Sequence, residues 1–427
     1  MTSSTTPTES EIYISTFLSD NPDLDQELGD VSVMTDRYTN AEWAAQIAET
    51  QRKVLHEIEK RSYPGGKSWA YEVPKTASSE FAQTIDHTVL KLDVKKEGVD
   101  ALCSEARTEG FKSVCVRLPW VQRCVSNLKG SPVVVACVVG FHEGTQDTYF
   151  KLREARAAVK AGAAELDIVL NHSILTRHNS PSSPTRPNAP LPRDSTADSV
   201  TAANTAVNAR PLTGSVAASG PYSVPGASIA SPTSTSSRFA SSSSRTSDQG
   251  EEDDVSIPDY SAIYRELASL RSLCPSPTVL KLILETSQLT EAQILAASHL
   301  AAAANIDFIK TSTGFNGPGA TLPHVQLMVT AAEYLSTKTL SNNGSPVRGG
   351  GRKMEVKASG GVRDLQAAKQ MLAAGATRLG TSSGVWIMQE GRKVVEAEKE
   401  GGGEGGEGGV RPPATRLYTD NSIEDAY

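Results

Sequence analysis

Residues 307 to 321 read DFIKTSTGFNGPGAT, an apolar stretch that ends in a lysine and passes directly into hydroxyls and glycines. Ile306, Phe308 and Ile309 have the apolar character of a buried strand, and Lys310 stands where this strand stops and a turn begins. A solvated lysine more commonly lies within a helix or a loop. In closed barrels of parallel strands, functional residues stand at the carboxyl ends of the strands. The stretch therefore predicts a barrel strand with a functional lysine at its end.

Seven further segments have the same strand-like character, and helical patterns separate them. The eight predicted strands lie at residues 83–86, 113–116, 133–140, 165–170, 278–284, 306–310, 354–358 and 377–380. Helical periodicity is clearest at residues 149–162, 289–304 and 364–375. Thr290 and Gln293 form a capping-box pattern in the second of these helices. Eight alternating units favour an α/β fold of the (β/α)8 TIM barrel class over a doubly wound sheet.

The chain divides into segments with and without the apolar residues of a core. Ser/Thr-rich or Gly-rich segments of low hydrophobicity cannot bury enough surface to offset the entropy of ordering. The predicted organisation is a disordered N-terminal extension (1–36), an N-terminal helical segment packed on the barrel (37–80), a first barrel half (81–171), a low-complexity disordered insert after the fourth strand (172–257), a second barrel half (258–398) and a Gly-rich flexible tail (399–427).

Composition limits the class of the protein. The 427 residues carry a net charge of −7, which gives no electrostatic reason to expect a nucleic-acid partner. The longest apolar run, residues 133–141, is too short to cross a bilayer, and the N-terminus has no secretory pattern. Five cysteines without a C-x-x-C pair indicate a reducing compartment. We therefore expect a soluble, cytoplasmic protein without a membrane partner.

Lysines occur on three consecutive predicted strands, at Lys281, Lys310 and Lys357, and the sequence places few carboxylates beside them. A single buried lysine is most simply part of a structural ion pair. Three of them together cost stability. The usual reason for such a cluster is a lysine whose pKa is lowered until its neutral amine attacks a carbonyl. The pattern thus favours an amine nucleophile.

Small residues occupy the loops after the last three strands. In barrels, such loops commonly bind phosphate through backbone N–H groups at glycines and at a helix N-terminus. A Gly-Gly or Ser-Ser pair alone is more often a tight turn, but the joint position of these residues favours a phosphate site. The candidate substrate-binding residues are Gly314, Gly360, Gly361, Ser382 and Ser383, together with Asp86 and Thr311.

Eight ordered motifs resemble those of deoxyribose-phosphate aldolase, a class I aldolase family with a (β/α)8 barrel. They read TIDHTVLK, KSVCV, VVGF, EARAAVKAGAAELDIVLN, LKLILET, DFIKTSTGF, KASGGVR and GATRLGTSSG, and they fall within residues 80–172 and 258–390. Each motif alone is weak, but eight in the same order at compatible spacing leave little room for chance.

The resemblance implies roles for four charged residues. Lys310 matches the lysine that forms the Schiff base, and Lys357 matches the second lysine that lowers its pKa. Asp167 matches the carboxylate that relays protons, and Lys281 is similar to a further active-site lysine. The implied reaction is the reversible cleavage of 2-deoxy-D-ribose 5-phosphate to D-glyceraldehyde 3-phosphate and acetaldehyde, in deoxyribonucleotide catabolism. The resemblance implies no cofactor and no metal, a small phosphorylated sugar as substrate, and a homodimer.

Three features depart from the family pattern or lie beside it. His142 and Glu143 stand where the family commonly has proline and a small apolar residue. The insert follows the strand that carries Asp167, and we expect the barrel to tolerate it rather than use it as a catalytic lid. Tyr427 ends a Gly-rich tether of sufficient length to reach the barrel mouth, although a frayed terminus is the simpler interpretation.

Two other classes of function stay open at this point. A metal-dependent aldolase or isomerase would use His87, His142 and His172, although no pair of the seven histidines has H-x-H or H-x-x-x-H spacing. A lone strand-end histidine such as His87 is more simply a hydrogen-bonded structural group. The second class is a non-catalytic barrel scaffold whose Ser-rich insert is phosphorylated. An inert barrel gains nothing from adjacent buried cations, which argues against it.

Overall fold

A computed structural model describes residues 6–25, 37–62, 69, 71–177, 257–337 and 353–400. Most of the 172–257 insert and nearly all of the 399–427 tail, including Tyr427, lie outside these ranges. Their predicted disorder and their roles therefore stay predictions. Within the described ranges, no helix has both the length and the apolar content needed to span a membrane.

Eight parallel strands close into a barrel in chain order, with the last strand paired to the first. The strands are β1 (Ile85–Thr88), β2 (Ser113–Val116), β3 (Val134–Val139), β4 (Glu165–Val169), β5 (Val279–Ile283), β6 (Phe308–Lys310), β7 (Glu355–Ser359) and β8 (Arg378–Thr381). The predicted (β/α)8 barrel is confirmed. The largest displacements of predicted ends are two residues: β1 spans Ile85–Thr88 rather than residues 83–86, and β6 begins at Phe308 rather than at residue 306.

Helices surround the strands and extend the N-terminus. They are α1 (Glu9–Asp20), α2 (Asn40–Ser62), α3 (Ser79–Ala82), α4 (Lys96–Glu109), α5 (Val121–Asn127), α6 (Thr148–Lys160), α7 (Ser173–Thr176), α8 (Tyr260–Leu273), α9 (Glu291–Ala303), α10 (Leu322–Thr337), α11 (Leu365–Ala373) and α12 (Gly384–Glu400). Helix α9 begins with the predicted capping box: Thr290 N donates to Gln293 Oε1 at 2.9 Å, and Gln293 N donates to Thr290 Oγ1 at 3.3 Å.

The pairing register determines which side chains meet inside the barrel. Asp167 of β4 lies opposite Lys281 of β5, and Lys310 of β6 lies opposite Lys357 of β7. Paired residues of adjacent parallel strands point to the same face, so these charged side chains all project into the barrel. The residues that alternate with them point outward. One example, Ile309, is fully buried in the main hydrophobic core.

Helix α2 occupies part of the N-terminal helical segment proposed for residues 37–80. Thr39 N donates to Glu42 Oε2 at 2.8 Å, and Glu42 N donates to Thr39 Oγ1 at 3.3 Å, so a capping box begins the helix. Trp43 is 1% exposed, and its ring packs on that of Tyr264 with centroids 5.0 Å apart. The indole thus joins α2 to α8 of the barrel.

The prediction that residues 1–36 are disordered is wrong for Glu9–Asp20, which form α1. Thr8 caps this helix, since its hydroxyl accepts a hydrogen bond from Glu11 N at 3.2 Å. Ile14 and Leu18 are buried at 3% and 1% exposure. The Ser/Thr-rich composition suggested disorder, but the segment contains a short apolar stripe. Packing of this stripe on the barrel surface, rather than intrinsic helix propensity, stabilises the helix.

Candidate active site

A cluster of charged side chains fills the centre of the barrel, and none of its members is more than 9% exposed. We call it the inner charged cluster. It contains four cationic side chains and three carboxylates, contributed by β1, β4, β5, β6, β7 and β8: Lys281, Lys310, Lys357, Arg378, Asp86, Glu165 and Asp167.

Lys310 contacts fewer carboxylates than the other two lysines of the cluster. Its Nζ donates to Asp167 Oδ2 at 2.9 Å, and the side chain is 3% exposed. Burial lowers the pKa of Lys310 from its ordinary value, and the nearby charge of Lys357 lowers it further, while Asp167 acts in the opposite sense. Lys310 is therefore the lysine of the cluster that most readily becomes a neutral amine.

Lys357 bridges two carboxylates and so keeps its proton. Its Nζ lies 2.5 Å from Asp86 Oδ2 and 2.8 Å from Asp167 Oδ2. Burial opposes its charge, but Asp167 and Asp86 together raise the pKa of Lys357 above its ordinary value. This cation stands beside Lys310, since the two residues are paired across β6 and β7.

Lys281 contacts three carboxylates at once. Its Nζ lies 2.5 Å from Glu165 Oε2, 2.8 Å from Asp167 Oδ1 and 3.3 Å from Asp86 Oδ2. Although burial opposes its charge, these neighbours raise the pKa of Lys281 well above its ordinary value. Lys281 is thus a fixed cation, whose geometry suits it to hold carboxylates in place rather than to act as a nucleophile.

Asp167 joins all three lysines. Its Oδ1 accepts from Lys281, and its Oδ2 accepts from both Lys310 and Lys357. Burial alone would raise the pKa of Asp167, but the three cations lower it well below its ordinary value. The group is an ionised carboxylate within hydrogen-bond distance of the candidate nucleophile, as a proton relay must be.

The expectation of few carboxylates beside the lysines is wrong. Glu165 and Arg378, for which the sequence predicted no role, complete the inner charged cluster. Arg378 Nη1 donates to Asp86 Oδ1 at 2.8 Å and lies 3.2 Å from Glu165 Oε2. The sequence carried one signal for Glu165: it lies two residues before Asp167, so both side chains point to the same face of β4. Arg378 had no comparable signal, because its partners come from distant strands.

The candidate phosphate-binding residues lie in the loops at one end of the barrel. Gly360 and Gly361, after β7, have φ of +80° and +75°, and Gly314, after β6, has φ of +85°. A Cβ on Gly314 would lie 3.8 Å from the Cα of Gly360, so the two loops adjoin. Ser382 and Ser383 immediately precede α12, whose N-terminus offers unpaired backbone N–H groups. The structure thus places Gly314 beside Gly360 and Gly361, and puts Ser382 and Ser383 after β8, the strand that pairs with β7.

Thr311 and Asp86, the two remaining substrate-binding candidates, have structural partners. Thr311 Oγ1 donates to Ser359 O at 2.9 Å and accepts from Ser359 N at 3.0 Å, so this hydroxyl joins the ends of β6 and β7. Asp86 is fully buried among Lys357, Arg378 and Ser113 Oγ, which donates to it at 2.7 Å. Both side chains support the site from within rather than line its opening.

Gly319 is a further residue that the sequence did not single out. A Cβ at this position would lie 2.2 Å from the carbonyl carbon and oxygen of Gly360. The next residue, Ala320, donates its N–H to the carbonyl oxygens of Ser359 and Gly360 at 3.1 and 3.0 Å. Only glycine permits the chain after β6 to approach the loop after β7 this closely.

Glu285 holds the loop that follows the candidate nucleophile. It comes directly after Leu284 with φ of +58°, which is uncommon for a residue with a side chain, and is 1% exposed. Its carboxylate accepts hydrogen bonds from the hydroxyl and the N–H of Thr313 and from Asn316 Nδ2. Burial raises the pKa of Glu285. The motif LKLILET contains it, but nothing in the motif indicates this loop contact.

His142 and Glu143 lie side by side on the rim after β3, with 3.5 Å between His142 Nδ1 and Glu143 Oε1. Burial opposes the charge of Glu143, but the bond from His142 lowers its pKa to about 2. The imidazole also packs on the Phe315 ring, with centroids 5.0 Å apart. The departure from the family pattern therefore builds a contact between the β3 and β6 loops and leaves the inner charged cluster unchanged.

The histidines named for a metal site lie in separate surroundings. His87 Nε2 is 2.7 Å from Glu105 Oε2 on α4, whereas His142 pairs with Glu143. His172 precedes α7, and burial lowers its pKa. Across the ranges that the structure describes, no group of three or more His, Cys, Asp or Glu side chains is arranged to hold a metal ion.

Comparison with known proteins identifies the family. No protein-family model matches the chain. A deoxyribose-phosphate aldolase of Coccidioides immitis is 31% identical over 353 residues, which cover 83% of this chain and 92% of the relative. The chain belongs to the deoxyribose-phosphate aldolase family. A deoxyribose-phosphate aldolase 1 of Bacillus licheniformis is 32% identical over 312 residues, which cover 73% of this chain and 96% of the relative.

A solved structure agrees with this assignment. A crystal structure of a Coccidioides immitis protein described as a deoxyribose-phosphate aldolase matches with a TM-score of 0.56 at 30% identity, covering 83% of this chain and 99% of that one. The resemblance stated from the motifs is thereby confirmed. The relatives give no support to a non-catalytic scaffold.

Proposed function

We propose that this member of the deoxyribose-phosphate aldolase family is a lyase that reversibly cleaves 2-deoxy-D-ribose 5-phosphate to D-glyceraldehyde 3-phosphate and acetaldehyde. The observation that carries the proposal is Lys310, a buried lysine with a lowered pKa that lies beside one ionised carboxylate and one permanent cation. This is the environment that an amine nucleophile needs near neutral pH.

Lys310 supplies the nucleophile in this proposal. Its neutral Nζ attacks the C1 aldehyde of the open-chain sugar, and loss of water gives a protonated iminium. The iminium withdraws electrons from C2, so the C2–C3 bond breaks when a base removes the C3 hydroxyl proton. D-glyceraldehyde 3-phosphate then leaves, and an enamine stays on Lys310. Protonation of the enamine at C2, followed by hydrolysis, releases acetaldehyde and the free lysine.

Asp167 is the proposed proton relay, directly or through a water molecule. Its contact with Lys310 places an ionised carboxylate at the reacting nitrogen, and the two other lysines keep it ionised between proton transfers. Lys357 keeps the charge that favours the neutral form of Lys310. Lys281 holds Asp167 from the opposite oxygen and so fixes its orientation.

For the phosphate, we propose the site formed by Gly314, Gly360, Gly361, Ser382 and Ser383. The three glycines have positive φ values, a backbone conformation found in anion-binding turns, and the α12 N-terminus favours negative charge. A phosphate at this place and an aldehyde at Lys310 would hold the two ends of the sugar.

Two measurements test the function. The purified chain is expected to cleave 2-deoxyribose 5-phosphate equally with and without EDTA. Borohydride reduction in the presence of acetaldehyde is expected to fix a two-carbon adduct on Lys310, which peptide mass spectrometry locates. A metal-dependent enzyme or an inert barrel would carry no such adduct. Cleavage that EDTA abolishes, without any adduct, would contradict the proposal.

Lys357→Leu is expected to raise the pKa of Lys310, because the variant removes a positive charge next to the amine. The neutral amine exists above its pKa, so the acid limb of the pH–rate profile should move upward, by on the order of one pH unit or more. The measurement is the rate of acetaldehyde adduct formation against pH. Lys369→Leu, on the exposed face of α11, is the matched control. An unmoved acid limb would assign Lys357 another role.

Gly319→Ala is expected to weaken binding of the phosphorylated sugar, because its Cβ would meet the carbonyl of Gly360 at 2.2 Å and displace the loop after β7. KM for 2-deoxyribose 5-phosphate should rise by roughly tenfold or more, since misplaced phosphate contacts typically cost more than about 1.4 kcal/mol. Trapping of acetaldehyde, which has no phosphate, serves as the internal control and should change little. Equal losses in both assays would show a general folding defect instead.

We also propose a homodimer in a reducing, cytoplasmic setting, without nucleic-acid or membrane partners. The family resemblance supports the dimer. Five buried cysteine thiols and the net charge of −7 support the setting and the absence of a nucleic-acid partner. Light scattering of the full chain measures the first of these properties, and a monomer or tetramer would replace the homodimer.

A further inference from the structure

Cations and carboxylates alternate through the inner charged cluster. Arg378 contacts Asp86 and Glu165, and Glu165 in turn contacts Lys281. Lys281 and Lys357 then both reach Asp167, and Lys357 also returns to Asp86. Lys310 stands at the end of this network, where Asp167 is the carboxylate it contacts.

The charges of this network balance only when Lys310 is neutral. Three cations, Lys281, Lys357 and Arg378, face three carboxylates, Asp86, Glu165 and Asp167, so their sum is zero. A protonated Lys310 would add one buried positive charge that the three carboxylates of the network do not balance. An uncompensated buried charge is costly, so the cluster favours loss of the Lys310 proton.

Other groups that face Lys310 lie outside this network. From β2, Cys115 is a neutral thiol, because burial raises its pKa to about 11. From β3, Ala136 and Val138 are apolar and buried. After β5, the Glu285 carboxyl interacts electrostatically with Lys310 from outside the network, and it accepts hydrogen bonds from Thr313 and Asn316 of the neighbouring loop. The charge that reaches Lys310 through the network is therefore set by the six groups named above.

We propose that Glu165 and Arg378 are positioning residues that act through Lys281 and Asp86 to set the charge balance of the inner charged cluster: the Arg378 cation favours the neutral amine of Lys310, and the Glu165 carboxylate opposes it. Glu165 is 3% exposed and Arg378 is 7% exposed, so water screens neither charge effectively. Arg378 is further held over the Phe308 ring, 5.2 Å from its centroid. The inference rests on the proposed role of Lys310 as nucleophile.

The proposal predicts opposite effects for the two residues. Glu165→Gln keeps the shape of the side chain and removes a negative charge, so Lys310 should lose its proton at lower pH. Arg378→Met removes a positive charge, so Lys310 should lose its proton at higher pH. A unit charge roughly 10 Å away in partly buried surroundings shifts a pKa by on the order of one unit. The double variant removes both charges and should return the titration close to that of the unaltered chain.

The experiment is the pH dependence of borohydride-trapped acetaldehyde adduct in the full-length chain, with its titration midpoint compared among the four proteins. Opposite single shifts that cancel in the double variant support the proposal. Midpoints that stay fixed, or that move in the same direction in both single variants, overturn it. Arg378→Lys, which keeps the charge, provides the rescue: its midpoint should stay near that of the unaltered chain even if its thermal stability falls.

Failure of the proposed function and failure of the charge-balance inference give different results. If the unaltered chain traps no acetaldehyde, the proposed function is wrong, and the charge-balance inference falls with it. If the unaltered chain traps acetaldehyde normally but the variants titrate alike, only the inference is wrong. If Arg378→Met does not fold, Glu165→Gln and Arg378→Lys still test the inference. The inference predicts a lower titration midpoint for Glu165→Gln and an unchanged midpoint for Arg378→Lys, whereas a purely structural pair predicts no directional shift.

Discussion

Lys310→Ala is expected to abolish cleavage of 2-deoxyribose 5-phosphate and to remove the trapped acetaldehyde adduct, while the barrel stays folded. The alanine leaves no amine at the end of β6, and neither Lys357 nor Lys281 replaces it, because nearby carboxylates raise the pKa of both and keep them protonated. Turnover should fall by at least about four orders of magnitude, as is typical when a covalent nucleophile is removed.

Folding should survive this substitution because Lys310 contributes one ion pair to the inner charged cluster, and the remaining six charges balance one another. Circular dichroism and the thermal midpoint measure this directly. Lys353→Ala, at an exposed position before β7, is the matched control and should retain full activity. Adduct of the expected mass in the Lys310→Ala protein would mean that another lysine is the nucleophile.

The barrel could be predicted from the sequence because its strands carry a local signal. Each buried parallel strand is a short run of apolar residues, and helical periodicity separates it from the next, so eight units could be counted without any knowledge of long-range contacts. Lys310 could be predicted as a functional residue for a related reason, because a cation at the end of an apolar strand departs from the local pattern. Such contradictions are expected mainly at functional sites.

The missing parts of the site depend on contacts between distant segments. Arg378 contacts Asp86 only because β8 pairs with β1, and the two residues are 292 positions apart along the chain. Gly319 similarly matters because of the approach of Gly360 and not because of its own turn. Helix α1 was not predicted because its two buried apolar side chains, Ile14 and Leu18, form too short a stripe to stand out from a polar context. Tertiary packing decides such cases.

Asp167→Asn is expected to separate proton transfer from Schiff-base formation. The asparagine keeps an oxygen for hydrogen bonding but no longer takes up a proton, so turnover should fall by roughly two to four orders of magnitude. Removal of the negative charge beside Lys310 should lower the pKa of that lysine further, because Asp167 now acts to raise it. The neutral amine should therefore be present, and borohydride should still trap acetaldehyde.

The decisive measurement is the exchange of acetaldehyde methyl protons with deuterated solvent, which follows enamine formation without any aldol step. In Asp167→Asn, exchange should slow in parallel with turnover, while the yield of trapped adduct stays close to that of the unaltered chain. Asp100→Asn, in an exposed pair with Arg123 on the outer helices, is the control and should exchange normally. Normal exchange in Asp167→Asn would require a different base. Loss of the adduct would instead show that Asp167 is needed to position Lys310, because one carboxylate oxygen holds both Lys310 and Lys357.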